Sequence, residues 1–484
     1  MVPTLFRAAS RLALGGALGM ALVTPGCGEA ASPPSPPAGQ PNFVIIIADD
    51  MAENLFGPGH RFPFLDLPNL ERLAARGVLF DRAFATTSLC SPSRASMLSG
   101  LYAHSHGIRT NESGDISPTI DTYPTLLQRA GYKTAFVGKW HMNASTDAPR
   151  PGFDYWVSFR GQGVYEDPVL NENGQSVKRT GYITDILTDY AAQWLRGRGN
   201  EPFLLILSHK APHDPFHPAP RHAGALPEAA LPEPPNFEDS FLTKPAWQRR
   251  YVVCGGRPAD IPACPDPPPA QLPRWPWPAR EPRYLDYLRT LLALDDSVGT
   301  VVSTLESKGL TSSTYVVFIS DNGEFLGEHR LRDKRLMYEE SIRVPLVMAG
   351  GGIAGPRRNQ SLVLNLDLAP TVLQLAGVPV PARMQGRSLA SVLRGEATAV
   401  RDSFLYEYFL DGLVPGVPPM VGIRTDRWAY VTYPDLADNE EMYDLDHDPD
   451  EMTSLAAVPE RAAIKLDLRS QLDRLLATTG GALP

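Results

Sequence analysis

The stretch Asn42-Phe43-Val44-Ile45-Ile46-Ile47-Ala48-Asp49-Asp50 opens the folded part of the chain. Its apolar run is unbroken, which is typical of a strand buried on both faces of a parallel sheet. Two carboxylates stand at the carboxyl end of this strand, where open α/β sheets bind ligands. Adjacent like charges repel, so Asp49 and Asp50 favour a bound cation. An exposed acidic turn is the alternative.

Further apolar runs alternate with segments of helical periodicity. This alternation predicts an α/β fold with a mostly parallel central sheet flanked by helices. The final segment, about 100 residues long, alternates like antiparallel strands and predicts a smaller C-terminal α+β subdomain with an antiparallel sheet. Residues 150–173 are rich in glycine and aromatics and are predicted to form a loop that lines a cleft or packs on the sheet. The predicted strands after the first lie at residues 78–83, 132–137, 203–208, 315–320 and 344–349.

Polar side chains follow several of these predicted strands. Lys139 and His141 come after the strand at 132–137, and His213 stands between two prolines after the strand at 203–208. Asp321-Asn322 follows the strand at 315–320, so two strand ends supply oxygen ligands. Such hard donors suit calcium, or less well magnesium, and do not suit zinc. His213, with its backbone constrained by the prolines, is a candidate proton donor.

Cys90-Ser91-Pro92-Ser93-Arg94 is predicted to lie at the entrance to a helix that Gly100 ends. The free N–H groups and the dipole of such a helix start favour an anion, and Arg94 adds a positive charge on the same turn. Most free cysteines are small buried thiols, which is the alternative reading of Cys90. Lys334 follows in a basic segment and could reach an anion.

The N-terminus has the features of an export signal, with Arg7 and Arg11 before a short apolar segment. Thr24-Pro25-Gly26-Cys27 is similar to a bacterial lipoprotein cleavage site with Cys27 as the lipidated residue; plain secretion after cleavage near Ala30 is the alternative. We expect a bacterial protein that is periplasmic, anchored to the outer membrane through lipid, or secreted. The predicted organisation is a signal at 1–26, a tether at 27–41, a catalytic domain at 42–380 and a C-terminal subdomain at 381–484.

Composition and charge narrow the classes of protein further. The chain has 484 residues, of which 43% are hydrophobic and 20% charged, as in an ordinary globular protein. Its formal net charge of −9 argues against a nucleic-acid binder with a basic face. Cys254 and Cys264 flank a proline-rich segment, and in an exported protein they are predicted to form a local disulfide. Cys90 then has no partner, which favours a reactive or modified role.

Taken together, these motifs resemble the type I sulfatases of the alkaline-phosphatase-like superfamily. They occur in that family's order between residue 42 and about residue 380, and Tyr443-Asp444-Leu445 is similar to the family's C-terminal subdomain. The branch that looks closest is the N-acetylglucosamine 6-O-sulfatases. The matching pieces are Asp49-Asp50, Cys90-Ser91-Pro92-Ser93-Arg94, Gly138-Lys139-Trp140-His141, Pro212-His213, Asp321-Asn322-Gly323 and Lys334.

The resemblance implies that a maturation enzyme oxidises Cys90 to formylglycine during export. One hydroxyl of the hydrated aldehyde would attack sulfur and the other would later expel sulfate, which divides the hydrolysis into two steps. Calcium would neutralise sulfate oxygens. The resemblance assigns the remaining roles as follows: calcium ligation by Asp49, Asp50, Asp321 and Asn322; orientation and charge stabilisation by Arg94 and Lys139; elimination by His141; sulfate binding and leaving-group protonation by His213 and Lys334.

The expected substrate is a sulfated carbohydrate, namely 6-O-sulfated N-acetylglucosamine in glycosaminoglycan or mucin-type glycans. Segments 151–156, 291–296 and 333–339 carry this likeness. Many arylsulfatases have Leu-Gly where this chain has Met142-Asn143, which speaks against a simple arylsulfatase. Three alternatives remain: a broad arylsulfatase, a phosphoester or phosphonate hydrolase on the same scaffold, and a catalytically silent glycan-binding lipoprotein.

Overall fold

The computed structural model describes residues 39–226, 231–253, 266, 268, 272, 282–437 and 439–483. Cys27, Cys254 and Cys264 lie outside the described residues, so the lipid anchor and the disulfide stay predictions. Within the described part, no helix combines the length and the apolarity needed to cross a bilayer.

The strands and helices alternate along most of the chain. The strands are β1 Asn42–Asp49, β2 Gly77–Phe84, β3 Lys133–Lys139, β4 Tyr155–Phe159, β5 Val169–Glu172, β6 Gln175–Lys178, β7 Phe203–Pro212, β8 Thr314–Ser320, β9 Phe325–Leu326, β10 Arg332–Asp333, β11 Arg343–Gly350, β12 Arg357–Asn359, β13 Val363–Leu364, β14 Ser403–Tyr408, β15 Met420–Thr425, β16 Trp428–Thr432 and β17 Glu440–Asp444. The helices are α1 Pro68–Ala74, α2 Cys90–Ser99, α3 Ala103–His106, α4 Tyr123–Arg129, α5 Ile183–Arg196, α6 Ala246–Val253, α7 Pro282–Ser307, α8 Glu339–Ile342, α9 Leu368–Leu375, α10 Ala390–Leu393 and α11 Ala462–Thr479.

The central sheet has 11 strands among the described residues, in the order β12-β2-β11-β8-β1-β7-β3-β4-β5-β6, with β13 also paired to β2. β1 lies in the middle and runs parallel to β7 on one side and β8 on the other. Every residue of β1 is buried, as its unbroken apolar run predicts. The predicted α/β fold with a mostly parallel central sheet is confirmed.

One inner strand, β11, runs antiparallel to both of its neighbours, β8 and β2. The chain leaves β8 at the carboxyl edge of the sheet, forms the small β9–β10 sheet, and re-enters the central sheet at β11. Antiparallel strands can be joined at one edge without a crossover to the other. The segment that carries Lys334 is therefore kept at the edge where β1, β7 and β8 end.

The segment at 150–173 differs from the predicted loop, because it contains β4 and β5. β4 pairs in parallel with β3, with Tyr155 opposite Ala135. Its aromatic side chains fill the core beside β3, and the rings of Trp156 and Phe136 stack with centroids 4.9 Å apart. Pairing and packing against β3 thus override the loop-like composition.

The two faces of the sheet have separate cores. Alternate residues of β1 point to opposite faces, so Val44 and Ile46 pack with α5 and α7, while Phe43 and Ile45 pack with α2, α4 and α9. This layering holds the carboxyl ends of the central strands in a fixed arrangement.

The C-terminal part carries the predicted antiparallel sheet, in the order β14-β15-β16-β17. Helix α11 packs on this sheet through Leu468, Leu472 and Leu476. The same core includes Trp247 of α6 and Tyr338 of the segment before α8, so the C-terminal sheet is packed directly against the part of the chain that leads to Lys334.

Candidate active site

The candidate site lies at the carboxyl end of the three central parallel strands. β1 ends at Asp49, β8 at Ser320 and β7 at Pro212, so the residues that follow them are neighbours. Asp50 has a positive φ of 72°, which turns the chain sharply after β1. The backbone of the Asp50 turn is held by Asp321 Oδ1, which accepts its N–H at 3.0 Å.

The sequence predicts Cys90 at the entrance to a helix, and in the structure it is the first residue of α2. Its side chain is fully buried. Gly100 ends α2 with a φ of 68°, as its sequence position predicts. The sulfur of Cys90 lies 3.3 Å from Lys334 Nζ and 3.7 Å from both Lys139 Nζ and Asp49 Oδ1. A small group at residue 90 is thus placed between cations and carboxylates.

The acidic residues form a compact oxygen-rich cluster with Cys90. Ligand atoms of Asp49, Asp50, Asp321 and Cys90 all lie within 4.8 Å of one another. Asn322 donates from Nδ2 to Asp50 Oδ1 at 2.6 Å, while its own Oδ1 is buried and has no hydrogen-bond partner. A buried acceptor without a donor is unfavourable unless a cation approaches it. These four oxygen-bearing side chains therefore fit a hard cation such as calcium.

Three cations balance the three carboxylates. Lys139 pairs with Asp49, and Lys334 pairs with Asp50. Arg94 Nη2 lies 2.8 Å from Asp321 Oδ2 and 3.3 Å from Asp49 Oδ1. Because these charges cancel, a bound divalent cation would leave the site positive and able to attract an anion.

The pKa values of these groups follow from burial and from the paired charges. Burial alone would raise the pKa of Asp49, but Lys139 and other cations hold it well below its usual range. Burial raises the pKa of Asp321 to about 7, against the effect of Arg94. Burial also raises the pKa of the Cys90 thiol to about 12. A thiol that stays protonated is a weak nucleophile.

Arg94 is fixed by backbone and side-chain acceptors as well as by carboxylates. Its Nη1 donates to Lys139 O at 2.8 Å and to Ser208 Oγ at 2.6 Å. Ser208 Oγ itself lies 2.8 Å from Lys139 O. Ser208, near the end of β7, thus links Arg94 to the end of β3, and no pattern in the sequence distinguishes it from an ordinary strand residue.

His141 lies beside the start of α2, in a left-handed conformation with a φ of 67°. Its Nδ1 is 3.2 Å from the hydroxyl of Ser91, the residue after Cys90. Burial, with the Lys139 charge, lowers the pKa of His141, so the ring is neutral. The Ser91 N–H donates to Asn111 Oδ1 at 3.0 Å, and Asn111 is a site neighbour that sequence reasoning missed.

His213 approaches the cluster from the end of β7. Its Nε2 lies 3.6 Å from Asp50 Oδ2. One of its ring nitrogens also lies within 4.8 Å of ligand atoms of Asp49 and Cys90. Burial, with the Lys139 charge, lowers the pKa of His213 to about 4. Sequence analysis overlooked its neighbour Lys210, which is buried in the same strand.

All ten predicted catalytic and metal-binding residues therefore converge on one edge of the sheet. Their individual roles stay predictions, since geometry alone does not test them. The members of this cluster are Asp49, Asp50, Cys90, Arg94, Lys139, His141, His213, Asp321, Asn322 and Lys334.

Comparisons with known proteins match nearly the whole chain. The sulfatase family model matches residues 41–378, and the model described as "N-sulphoglucosamine sulphohydrolase, C-terminal" matches residues 327–478. An N-acetylglucosamine-6-O-sulfatase of Bacteroides thetaiotaomicron is 33% identical, over 92% of this chain and 87% of its own length. The human N-acetylglucosamine-6-sulfatase is 30% identical, over 92% of this chain and 84% of its own length.

A solved structure gives the same result at the level of the fold. It is described as a complex of a protein with its substrate, D-glucosamine-2-N,6-O-disulfate. Its sequence is 31% identical, and the superposition covers 91% of this chain and 98% of that chain with a TM-score of 0.80.

Proposed function

The chain belongs to the sulfatase family, and from this premise we propose that it removes 6-O-sulfate from glucosamine-type sugars, with 6-O-sulfated N-acetylglucosamine in glycosaminoglycan or mucin-type glycans as the substrate class. The observation that carries the proposal is the convergence of Cys90 with three carboxylates, Asn322 and three cations at one sheet edge. Such a site can hold a cation and a sulfate group side by side.

We propose that Cys90 is the precursor of formylglycine. The hydrated aldehyde supplies a hydroxyl nucleophile, which a buried and protonated thiol does not. Lys139 and Lys334, both within 4 Å of the Cys90 sulfur, would hold and orient the groups on residue 90. Arg94, fixed by Asp321 and Ser208, would add a positive charge beside them that does not move during the reaction.

Calcium is the proposed resident metal, held by Asp49, Asp50, Asp321 and Asn322. When bound, it supplies positive charge to sulfate oxygens and favours deprotonation of the attacking hydroxyl. Calcium would replace Lys139 and Lys334 as the partner of the Asp49 and Asp50 carboxylates. Both lysines would then be available to contact sulfate.

Two residues are placed to assist departure of the sugar. His213 presents Nε2 to the cluster, and Lys334 presents Nζ to residue 90. A protonated group at either position could donate to the sugar oxygen as the S–O bond breaks. A sugar alcohol is a poor leaving group without such a proton, so this assistance matters more for a sugar sulfate than for an aryl sulfate.

Mass spectrometry of the peptide that carries Cys90, from protein produced in the native host, tests the proposed nucleophile. We expect a mass that corresponds to formylglycine in place of cysteine. An unmodified thiol throughout an active preparation would remove the formylglycine proposal. Cys90→Ala is expected to abolish turnover and to leave the thermal unfolding midpoint nearly unchanged.

Sulfate release tests the proposed substrate. We would compare N-acetylglucosamine 6-sulfate with galactose 6-sulfate and 4-nitrophenyl sulfate at equal concentrations. A higher kcat/KM for the glucosamine-type sugar is expected, since the relatives named for that activity are similar over most of the chain. Preference for the aryl ester would favour the broad arylsulfatase instead.

We also propose that the protein is exported, with residues 1–26 as the signal and Cys27 as a lipidation site. Metabolic labelling with a radioactive fatty acid should mark the wild-type chain and leave Cys27→Ser unlabelled. Export of an unlabelled wild-type chain would support plain secretion.

A further inference from the structure

Lys210 is a buried cation beside the site to which no role has been given above. It lies in β7 (Phe203–Pro212), and the structure buries it completely. Its partners within the described chain are a carbonyl oxygen and an aromatic ring, not a carboxylate. Burying a charge that forms no direct ion pair is costly, so an apolar residue would serve packing better. The ammonium group therefore needs a functional explanation.

The carbonyl oxygen of Asp214 binds both Lys210 and His213. Lys210 Nζ donates to this oxygen at 3.2 Å, and His213 Nδ1 lies 2.5 Å from it. A carbonyl oxygen can only accept hydrogen bonds, so Nδ1 must carry the hydrogen. The tautomer of His213 is thereby fixed, and Nε2 is left as the nitrogen that faces Asp50, at 3.6 Å from Oδ2.

Tyr165 holds the same short segment from the other side. Its hydroxyl donates to His213 O at 2.8 Å, and its ring lies 4.9 Å below Lys210 Nζ. The ring attracts the ammonium group through its negative face. Lys210 and Tyr165 thus hold two consecutive carbonyl groups, those of His213 and Asp214, and support each other.

We propose that Lys210, supported by Tyr165, is a positioning residue. It keeps His213 Nε2 directed at the leaving-group oxygen, which is the sugar oxygen bonded to sulfur in the ester. This rests on the proposed function. In the step concerned, the S–O bond to the sugar breaks and its electron pair stays on the sugar oxygen. That oxygen takes a proton from Nε2 of the imidazolium form of His213, which the negative charge of the bound sulfate ester would stabilise, and the ring returns to the neutral form with hydrogen on Nδ1. Lys210 does not touch the substrate; it fixes the nitrogen that delivers the proton.

Leaving-group dependence separates this role from a general structural role. Lys210→Met keeps the length and removes the charge and the donor. We expect kcat for N-acetylglucosamine 6-sulfate to fall about 100-fold, the lower end of the effect of general acid catalysis. We expect kcat for 4-nitrophenyl sulfate to fall less than about 3-fold, since nitrophenolate departs without a proton. Equal losses on both esters would overturn the proposal.

A matched pair of tyrosine variants provides the control. Tyr165→Phe should produce the same selective loss on the sugar ester, though a smaller one, because Lys210 remains. Tyr182 donates in the same way to His217 O at 2.9 Å, four residues beyond His213. Tyr182→Phe should leave the ratio of the two kcat values unchanged. A similar ratio change in both variants would contradict a specific link to His213.

A measurement without turnover keeps the inference separate from the proposed function. In protein labelled with ¹⁵N-histidine, the nitrogen shifts of His213 should show hydrogen on Nδ1 in the wild type and in Lys210→Arg. Lys210→Met should shift His213 toward a mixture of tautomers. If the tautomer is fixed but no sulfate is released from any ester, the proposed function fails and the positioning stands; if Lys210→Met leaves the tautomer unchanged, the positioning fails.

Discussion

Asn322 is the residue whose surroundings point most directly to cation binding. Its amide nitrogen is bonded to Asp50 and to Gly323 O, at 2.6 and 2.8 Å, which fixes the orientation of the side chain. Its oxygen is then left buried without a donor. The Asn322 oxygen therefore lies outside the hydrogen-bond network and is suited to bind a cation.

Replacing Asn322 therefore provides a test of calcium binding. Asn322→Leu keeps the volume and removes the ligand oxygen, so we expect the affinity for calcium to fall at least about 10-fold. Isothermal titration calorimetry of chelator-treated protein measures this directly. Asn322→Asp retains an oxygen at the same position and is the control, which should bind calcium with little loss. Equal calcium affinity in Asn322→Leu and the wild type would exclude Asn322 as a ligand.

At the scale of elements, the site depends on close approach between neighbouring strands. Gly138 in β3 has a φ of 121°, and a Cβ at this position would lie 1.8 Å from Ser208 O of β7. Gly138, which makes this contact, directly precedes Lys139 in the chain. The side chain of Ser208 also accepts a hydrogen bond from Arg94. The absence of a side chain at Gly138 thus allows Lys139 and Arg94 to be placed together.

Gly138→Ala is expected to lower the free energy of unfolding by more than about 3 kcal/mol, since it combines a backbone clash with an unfavourable φ. Gly174→Ala is the matched control. Gly174 has a φ of 94° but open space around its Cβ position, so only the conformational part, about 1–2 kcal/mol, should be lost. Urea unfolding of both variants measures the difference. Equal losses would show that the approach of β3 to β7 is not the limiting contact.

At the scale of the whole molecule, one buried carboxylate joins the C-terminal sheet to the catalytic part. Glu441 of β17 accepts hydrogen bonds from the hydroxyls of Tyr338, Tyr433 and Tyr443 and from Gln248 Nε2. Tyr338 follows Lys334 by four residues, and Gln248 belongs to α6. The C-terminal sheet therefore supports the segment that brings Lys334 to residue 90.

Glu441→Leu would remove the shared acceptor of four buried donors, of which Tyr338 also has Gln248 Oε1 at 3.0 Å. Each unsatisfied donor costs about 1–3 kcal/mol, so we expect the free energy of unfolding to fall by at least about 3 kcal/mol. Glu440→Leu is the control on the neighbouring residue, whose partly exposed contacts with Tyr430 and Lys465 should contribute about 1 kcal/mol or less. Denaturant unfolding monitored by tryptophan fluorescence gives both values. A small loss in Glu441→Leu would contradict the role of this carboxylate in joining the two parts.

A second long-range contact gives the molecule a pH dependence. His104 in α3 has Nδ1 2.6 Å from Glu407 Oε1 and Nε2 2.9 Å from Thr479 O at the end of α11. Both partners are acceptors, so the ring carries two hydrogens and is charged. Although burial opposes the charge, the hydrogen bonds to Glu407 and Thr479 raise the pKa of His104 above its usual value.

A histidine whose pKa is higher in the folded than in the unfolded protein adds to the free energy of unfolding. This contribution is complete below the unfolded pKa, near 6.5, and is lost as pH rises through the folded pKa. The difference in unfolding free energy between wild type and His104→Ala should therefore shrink as pH rises above about 6.5. His106→Ala is the control of opposite sign, because burial lowers the pKa of His106 to about 3. Its contribution should rise between pH 6 and about 7.5, as the unfolded histidine loses its proton, and then stay constant up to about pH 9. A constant difference for His104→Ala would contradict a charged ring.

The comparison of sequence and structure is clearest at β1 and at 150–173. The apolar run of β1 is long enough that burial alone fixes it as a central strand, and its terminal carboxylates are then placed at the ligand-binding edge. The segment at 150–173 has no such run, and its strands β4 and β5 form because β3 is available to pair with them. A strong local pattern, as in β1, is sufficient to predict a strand. A weak one, as at 150–173, is not, because strand formation there depends on pairing with β3.

By itself, the sequence determined the α/β fold, the C-terminal antiparallel sheet and the candidate residues that follow central strands, because parallel strands bring their carboxyl ends together whatever lies between them. Lys334 follows no central strand, and it was predicted as a site residue through the resemblance to sulfatases. Only the tertiary structure decided which atoms pair. Local sequence patterns do not predict the unpaired oxygen of Asn322, the carbonyl of Asp214 that Lys210 and His213 share, or the four donors that meet on Glu441. Hydrogen bonds depend on distances of a few tenths of an ångström, and only the packed chain sets those.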